Sequence, residues 1–373
     1  MRRQPVATGV KELPKILEIL AKTGINCMPT RRREVEISEY PDESVDLKPM
    51  QVPFENPPMK DRSYTSELPS VKPDQPSLFR YFLDGSRRVF SIAEVVVGGR
   101  YYPILAGQIG VGVIERRDDG KLKPLNDHCT FKNLIVFPST LSADDYLQIQ
   151  ADIDATSRFK FHVLKYKTAK LKDGGTLSDL GIAMIMREMH NAEVDTVRAL
   201  SQSGMLADDR MLMIDGGLQF GDQGKIDPTD FRNVAAVAKT FQHNVSIVKG
   251  RDKYDIGTLA KRLDFGDRTF VFGQKFKKLQ LASWCLKLRP KKYMHSPLQG
   301  VSKIEVFAVG RDEEENGIEQ SRVSNICKLI LSERNVTPYG KDARWAVHLY
   351  PIFQVERYLK SRFANSATLM GVF

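Results

Sequence analysis

The order of apolar segments after residue 78 is the feature that most constrains the fold. Strand-like runs follow one another closely between residues 78 and 138, with Gly98 and Gly99 separating two of them and KNLIVFP (132–138) forming another. Runs at this spacing predict an antiparallel meander. Helical and strand-like segments then alternate toward the end of the chain. A group of strands followed by alternating helices and strands predicts an α/β body, in which a mixed sheet is flanked by helices.

The type of each segment in the alternating part follows from its periodicity. We expect helices over 178–203, 227–241, 255–263, 317–334 and 350–363. Ser178 or Asp179 is the expected N-cap of the first of them. We expect strands over 211–215, 243–250, 267–274, 281–289 and 301–310. Residues 159–168 fit either a strand or the edge of a helix.

The N-terminal region differs in character from the rest of the chain. Residues 8–22 place Leu13, Ile16, Leu17 and Leu20 on one face of an amphipathic helix. Pro, Glu, Lys, Asp and Ser dominate from about 29 to 78, which predicts an extended arm. We therefore divide the chain into an N-terminal helix and arm (1–77) and a folded body (78–373).

Composition excludes several classes of protein. The chain has no apolar run near the eighteen residues of a transmembrane helix, and its N-terminus has no apolar signal region. The four cysteines are widely spaced, which argues against a zinc site or disulfides and predicts reduced thiols in the cytoplasm. The net charge of +10 favours polyanionic partners.

Two aspartates stand where apolar runs meet glycine. Asp84 closes FRYFLD before Gly85, and Asp215 closes MLMID before Gly216. Each pair could be an ordinary Asp-Gly turn. The apolar runs instead predict buried carboxylates, which need a partner such as a metal ion.

A third carboxylate comes from the helix expected over 178–203. Glu193 lies in the middle of the face formed by Ile182, Met189 and Val197, while Glu188 lies off its centre. Glu193 could pair with a basic residue at the helix edge. It could equally meet Asp215, and three carboxylates form a hard-oxygen site suited to Mg²⁺ or Mn²⁺. Two such ions catalyse phosphodiester hydrolysis in many enzymes.

The chain order of these motifs resembles that of the NurA nucleases. The resemblance covers FLDGSRR (82–88), the helix with Glu193, MLMIDGGL (211–218) and a late Tyr-Pro pair, and it spans roughly 78–363. It implies a ribonuclease-H-like core in which Asp84, Glu193 and Asp215 bind the metal, with Glu188 in reserve. It also implies a homodimer that acts on DNA ends together with a HerA-type hexameric ATPase.

The end of the chain departs from the family's pattern. The family carries a histidine shortly after the Tyr-Pro pair, whereas here His348 precedes Tyr350 and Glu356 follows Pro351. Glu356 could supply a fourth ligand and act as a catalytic residue. It could also pair with Lys360 on a solvated face, and His348 could be a packed core histidine.

Basic residues offer contacts for a nucleic acid. Arg87 and Arg88 follow the first aspartate and could hold a phosphate. Lys249 ends a predicted strand, at a point where the resemblance implies a lysine. Residues 272–278, FGQKFKK, place Lys275, Lys277 and Lys278 between aromatic residues, as in a surface that tracks a nucleic-acid backbone.

These features predict a Mn²⁺- or Mg²⁺-dependent deoxyribonuclease for DNA end processing or antiphage defence. The alternative is a non-catalytic nucleic-acid-binding protein on the same fold. A phosphatase of the Asp-x-Asp type is disfavoured because glycine and serine follow Asp84. The chain has no P-loop motif, so another protein would have to supply energy from ATP.

Overall fold

The structure of the protein is a computed structural model, and it describes residues 12–23, 25, 27–35, 53–59, 77–168, 175–218, 226–249, 252–276, 279–333 and 343–370. Within these residues the chain folds around an eleven-stranded sheet that mixes parallel and antiparallel pairs. Helices cover both faces of this sheet. The prediction of an α/β body with a mixed sheet flanked by helices is therefore confirmed.

The main sheet contains most of the described strands. In chain order the strands are β1 (Cys27–Glu34), β2 (Glu55–Asn56), β3 (Phe79–Val97), β4 (Arg100–Arg116), β5 (Leu122–Pro124), β6 (Thr130–Pro138), β7 (Phe161–Tyr166), β8 (Met211–Asp215), β9 (Val234–Ala238), β10 (Ser246–Lys249), β11 (Asp252–Asp255), β12 (Phe272–Phe276), β13 (Leu279–Lys287), β14 (Val301–Phe307) and β15 (Ile318–Glu319). The sheet order is β12-β13-β14-β9-β8-β3-β4-β6-β7, with β1 paired to β3 and β5 paired to β4.

Six of the eight described α-helices form three groups around the sheet. The eight are α1 (Glu12–Lys22), α2 (Ala143–Thr156), α3 (Leu177–Gln202), α4 (Ile256–Ala260), α5 (Arg311–Asn316), α6 (Gln320–Ser332), α7 (Tyr350–Arg362) and α8 (Ser366–Met370). Helix α3 covers one face of the sheet centre, and α6 and α7 cover the other. Helices α1, α2 and α8 share a third core with the far ends of β3 and β4. None of the described helices is long and apolar enough to cross a membrane.

The predicted meander is present. Strands β3, β4 and β6 pair antiparallel in sequence, and Gly98 and Gly99 take positive φ values of 57° and 74° in the turn between β3 and β4. A left-handed backbone is cheap for glycine, which explains why the pair sits there. Strand β7 resolves the open interpretation of 159–168, because it pairs parallel to β6. All four cysteines are free.

The prediction of a helix over 227–241 is wrong. Residues Pro228–Phe231 form a single 3-10 turn, and Val234–Ala238 form β9, which lies between β8 and β14. All five residues of β9 are buried. A strand that is buried on both faces is apolar throughout and so shows no alternation of apolar and polar residues. Without that alternation, the alanine-rich segment resembles a helix in composition.

Helix α3 begins slightly earlier than predicted. Its N-cap is Thr176, and not Ser178 or Asp179. The Thr176 side chain accepts a hydrogen bond from the Asp179 backbone N–H, and the Asp179 side chain accepts one from the Thr176 backbone N–H. This capping box satisfies two backbone donors that the first helical turn leaves unpaired.

Parts of the predicted N-terminal arm belong to the folded body. Helix α1 is present as expected, but residues 27–34 form β1 and pair with β3. Phe54 is buried in a core cluster, and Glu55 forms a buried ion pair of 2.8 Å with Arg268. The boundary at residue 77 therefore does not separate two independent units. Residues 36–52 and 60–76 of the arm lie outside the described part.

Candidate functional site

Asp84 lies inside a strand, and the expectation that it ends one is wrong. Strand β3 continues through Gly85, which pairs with Val111 of β4, so this Asp-Gly pair is not a turn. Asp84 pairs with Gly112, and a Cβ at Gly112 would lie 2.9 Å from Leu359 of α7. Because paired residues share a face, the Asp84 carboxylate points toward α7. It is only 6% exposed.

Asp215 ends β8 as predicted, before Gly216 with its φ of 100°. Parallel pairing of Leu83 with Ile214 brings Asp215 beside Asp84 on the same face of the sheet. The neighbouring strand β9 ends one residue before Lys239, whose Nζ donates a hydrogen bond of 2.7 Å to Asp215 Oδ2. Three adjacent strands thus bring two carboxylates and one ammonium group together.

Helix α7 and the segment before it add two further groups on this face. Glu356 Oε1 accepts a hydrogen bond of 2.5 Å from Lys360, so the predicted i,i+4 pair forms. Glu356 Oε2 lies 3.5 Å from His348 Nε2. The His348 side chain is 8% exposed and packs against Trp345 and Phe353, and its Nε2 has no hydrogen-bond partner in the described structure. His348 is therefore both a core residue and a neighbour of the acidic groups.

These five residues, Asp84, Asp215, Lys239, His348 and Glu356, form what we call the carboxylate cluster. Burial and then the Asp215 carboxylate raise the pKa of Asp84 well above its ordinary value, and Glu356 adds to this effect while Lys239 opposes it. Burial alone would lower the pKa of Lys239, but the Asp215 and Asp84 carboxylates outweigh burial and raise it. The cluster therefore carries more negative charge than its one buried ammonium group can neutralise.

His348 and Glu356 respond differently to the same surroundings. Burial and the Lys239 ammonium lower the pKa of His348 to about 4, against the pull of Asp215 and Glu356. The imidazole is therefore neutral at physiological pH. Burial would raise the pKa of Glu356, but its hydrogen bond from Lys360 and the nearby positive charges lower it. Glu356 is therefore ionised at neutral pH.

Glu193 approaches from the other face of the sheet. It is 5% exposed on α3, and a Cβ at Gly85 would lie 2.2 Å from its Oε1. Gly85 follows Asp84 in β3, so the two residues face opposite sides of the sheet. The other carboxylate oxygen of Glu193, Oε2, lies 2.8 Å from His190 Nδ1. Glu193 thus packs directly on the backbone next to Asp84.

A gap in the sheet connects these two faces. Strand β8 ends at Asp215, and β1 pairs with the same edge of β3 only from Phe90 onward. In the described part of the chain no strand pairs with this edge between Gly85 and Arg88. The Glu193 carboxylate is close enough to contribute to the raised pKa of Asp84. Carboxylates therefore lie on both faces of this stretch of β3, Asp84 on one and Glu193 on the other.

Glu188, the alternative to Glu193 as the metal ligand from the helix, instead forms an ion pair with a lysine. Its Oε1 accepts a hydrogen bond of 2.6 Å from Lys132 of β6, and both side chains are partly exposed. Glu193 is the one of the two that contacts the strand carrying Asp84.

The predicted DNA contacts are not brought together as a group. Arg88 donates a hydrogen bond to the Ala364 carbonyl and stacks over the ring of Phe363, so it holds the C-terminal segment. Arg87 lies on the face of α3, as Gly85 does. Lys275 is exposed on β12 at the edge of the sheet, five strands and roughly 24 Å from β3. The side chain of Lys249 and the residues Lys277 and Lys278 lie outside the described part.

The chemistry of the cluster fits a hard divalent cation. Its donors are carboxylate oxygens and one imidazole, Nε2 of His348 is buried without a hydrogen bond, and Gly85 leaves the space that Glu193 occupies. As the side chains stand, no three His, Cys, Asp or Glu residues among those described are close enough to hold an ion together. Lys239 instead occupies an oxygen of Asp215.

The sequence analysis does not identify Lys239, because the segment that contains it predicts a helix. The signal was the same as in MLMID, an apolar run of strand length that ends in a charged residue.

Comparison with known proteins adds nothing to this description: no protein-family model matches the chain, and a search of curated proteins finds no match either.

Proposed function

We propose that this protein is a metal-dependent nuclease that hydrolyses phosphodiester bonds of DNA. The observation that carries the proposal is the meeting of Asp84 and Asp215 on adjacent parallel strands, both on the face covered by α7. Buried carboxylates that repel one another weaken a fold unless a cation compensates them. Such an arrangement is typical of a functional site.

Asp84, Asp215 and Glu356 would hold Mg²⁺ or Mn²⁺, and Glu193 would approach through the gap beside Gly85. When bound, such ions lower the pKa of water and stabilise the charge on the leaving oxygen of a phosphodiester. The neutral His348 ring has a buried Nε2 without a hydrogen bond, which could accept a hydrogen bond from a metal-bound water or bind the ion itself. Lys360 holds Glu356 in its ionised form.

The order of the central strands supports a ribonuclease-H-like core. Strands β3, β4 and β6 form an antiparallel meander, and β8 and β9 extend the sheet in parallel from the other edge of β3. The first strand of that unit carries Asp84 and the fourth carries Asp215. This order supports the resemblance to the NurA nucleases on grounds other than the motifs themselves.

The charge of the chain favours a polyanionic substrate such as DNA. A net charge of +10 attracts a polyanion through counterion release. The homodimer, the HerA-type ATPase partner and the cytoplasmic location follow from the NurA resemblance and remain part of the proposal.

A cleavage assay tests the proposal. The purified protein is incubated with labelled single- and double-stranded DNA and Mn²⁺, Mg²⁺ or EDTA, alone and with a HerA-type ATPase. We expect Mn²⁺-dependent cleavage, and a loss of at least about a hundredfold in Asp84→Asn and Asp215→Asn because a misplaced reacting group costs that much. Glu193→Gln should also lose activity. Its matched control, Glu188→Gln on the same helix, should retain it.

A non-catalytic nucleic-acid-binding protein is the second candidate. It is favoured by the hydrogen bond from Lys239, which already occupies an oxygen of Asp215. It predicts DNA binding that divalent ions leave unchanged, and no cleavage under any of these conditions. Wild-type protein that is inert with every divalent ion, with and without the ATPase, would overturn the nuclease proposal.

A further inference from the structure

Lys239 is the residue of the carboxylate cluster to which the sequence assigns no role. It follows the fully buried strand β9, and its side chain is 16% exposed. Its Nζ donates a hydrogen bond of 2.7 Å to Asp215 Oδ2, and its charge also acts on Asp84, Glu356 and His348. One ammonium group therefore interacts with every other member of the cluster.

Lys239 and a divalent ion would compete for the same oxygens. Carboxylates close together in a buried site need positive charge, and here Lys239 supplies it. A divalent ion bound to Asp215 would repel an ammonium group 2.7 Å from the same carboxylate. A cation that bound Oδ2 of Asp215 would therefore have to move the ammonium group away from it.

We propose that Lys239 is an internal counter-ion, which neutralises Asp215 in the metal-free protein and which a divalent ion displaces. The inference rests on the proposed metal site. It assigns Lys239 a role beyond packing: the ammonium group stabilises the fold without metal and weakens the binding of the first ion.

The test compares two lysine variants that each lose one ion pair. Lys239→Met removes the pair with Asp215, and Lys132→Met removes the pair of 2.6 Å between Lys132 and Glu188. Mn²⁺ affinity is measured by calorimetry and by electron paramagnetic resonance of free Mn²⁺, and melting temperature is measured with and without Mn²⁺. Neither readout depends on cleavage.

We expect Lys239→Met to bind Mn²⁺ about tenfold more tightly than wild type, which is the effect of removing a competitor worth about 1.4 kcal/mol. It should melt at a lower temperature than wild type without Mn²⁺, and saturating Mn²⁺ should close most of that difference. Lys132→Met should bind Mn²⁺ as wild type does, and Mn²⁺ should not restore any loss in its melting temperature.

The outcomes separate this inference from the proposed function. Equal or weaker Mn²⁺ binding in folded Lys239→Met, beside clear binding in wild type, overturns the counter-ion role and leaves the nuclease proposal standing. No Mn²⁺ binding in either protein overturns both. If Lys239→Met fails to fold, Lys239→Gln keeps an N–H donor toward Asp215 without the charge. The same increase in affinity is expected for it, and its absence contradicts the inference.

Discussion

The replacement Gly85→Ala probes the packing of α3 against the strand that carries Asp84. The new Cβ would lie 2.2 Å from Glu193 Oε1, 0.8 Å short of the 3.0 Å below which real Cβ contacts essentially do not occur. Overpacking of this kind costs about 1–3 kcal/mol. Gly85 is not among the glycines with positive φ, and alanine in a strand gains about 0.5–1 kcal/mol over glycine. We therefore expect a net loss of about 0–2.5 kcal/mol.

A double-mutant cycle isolates the contact. Urea unfolding followed by circular dichroism gives the free energy of unfolding for wild type, Gly85→Ala, Glu193→Ala and the double variant. In the Glu193→Ala background the cost of Gly85→Ala should be smaller, because only the contacts of the new Cβ with Met189 at 3.0 and 3.1 Å remain. Gly107→Ala is the matched control, because its Cβ would meet Ile185 of the same helix at 2.9 Å. Its cost should not depend on Glu193. Equal costs of Gly85→Ala in both backgrounds would refute the packing described here.

Three further predictions follow from the buried charges. Asp84→Asn should stabilise the metal-free protein by about 0.5–2 kcal/mol at pH 7. Because the pKa of Asp84 is raised, its contribution to stability is full at low pH and is lost as pH rises through that pKa. Urea unfolding from pH 4 to 8 should show a free energy of unfolding that depends less on pH in the variant than in wild type, and equal pH dependence would contradict this. His348 should remain neutral down to about pH 4, so the free energy of unfolding should fall between about pH 6.5 and 4 as the unfolded chain gains the proton. An NMR titration of the ring signals measures the pKa of His348. A midpoint near 6.5 would contradict the prediction. Arg268→Met should lower the free energy of unfolding by about 3–5 kcal/mol, because it leaves Glu55 buried without its ion pair. Urea unfolding measures this loss. A loss under about 1 kcal/mol would show that the ion pair contributes little to stability.

Local pattern was enough to predict part of the sheet, the end of a strand at Asp215 and the helix that carries Glu193. The antiparallel meander, the strand ending in Asp215 and the helix carrying Glu193 each have a period or a turn signal that belongs to them alone. The strand β9 was mistaken for a helix because its burial on both faces comes from neighbouring strands, which its own five residues do not reveal.

The remaining parts of the site depend on contacts between distant residues. The sequence of Asp84 and Gly85 is that of a turn, but pairing with β4 on one edge keeps this part of β3 extended. Glycine is needed there because Glu193 of α3 packs onto it. Likewise, Lys239 and Asp215 are 24 residues apart and meet only because their strands are adjacent. No window of sequence contains these relations.

A crystal of the protein soaked in Mn²⁺ tests the central claim most directly. Anomalous diffraction locates manganese independently of any assumption about its ligands. The account predicts an anomalous peak within coordination distance, about 2–2.5 Å, of oxygens of Asp84 and Asp215, with Lys239 Nζ withdrawn from Asp215. A well-diffracting crystal with no peak beside these two aspartates would contradict it.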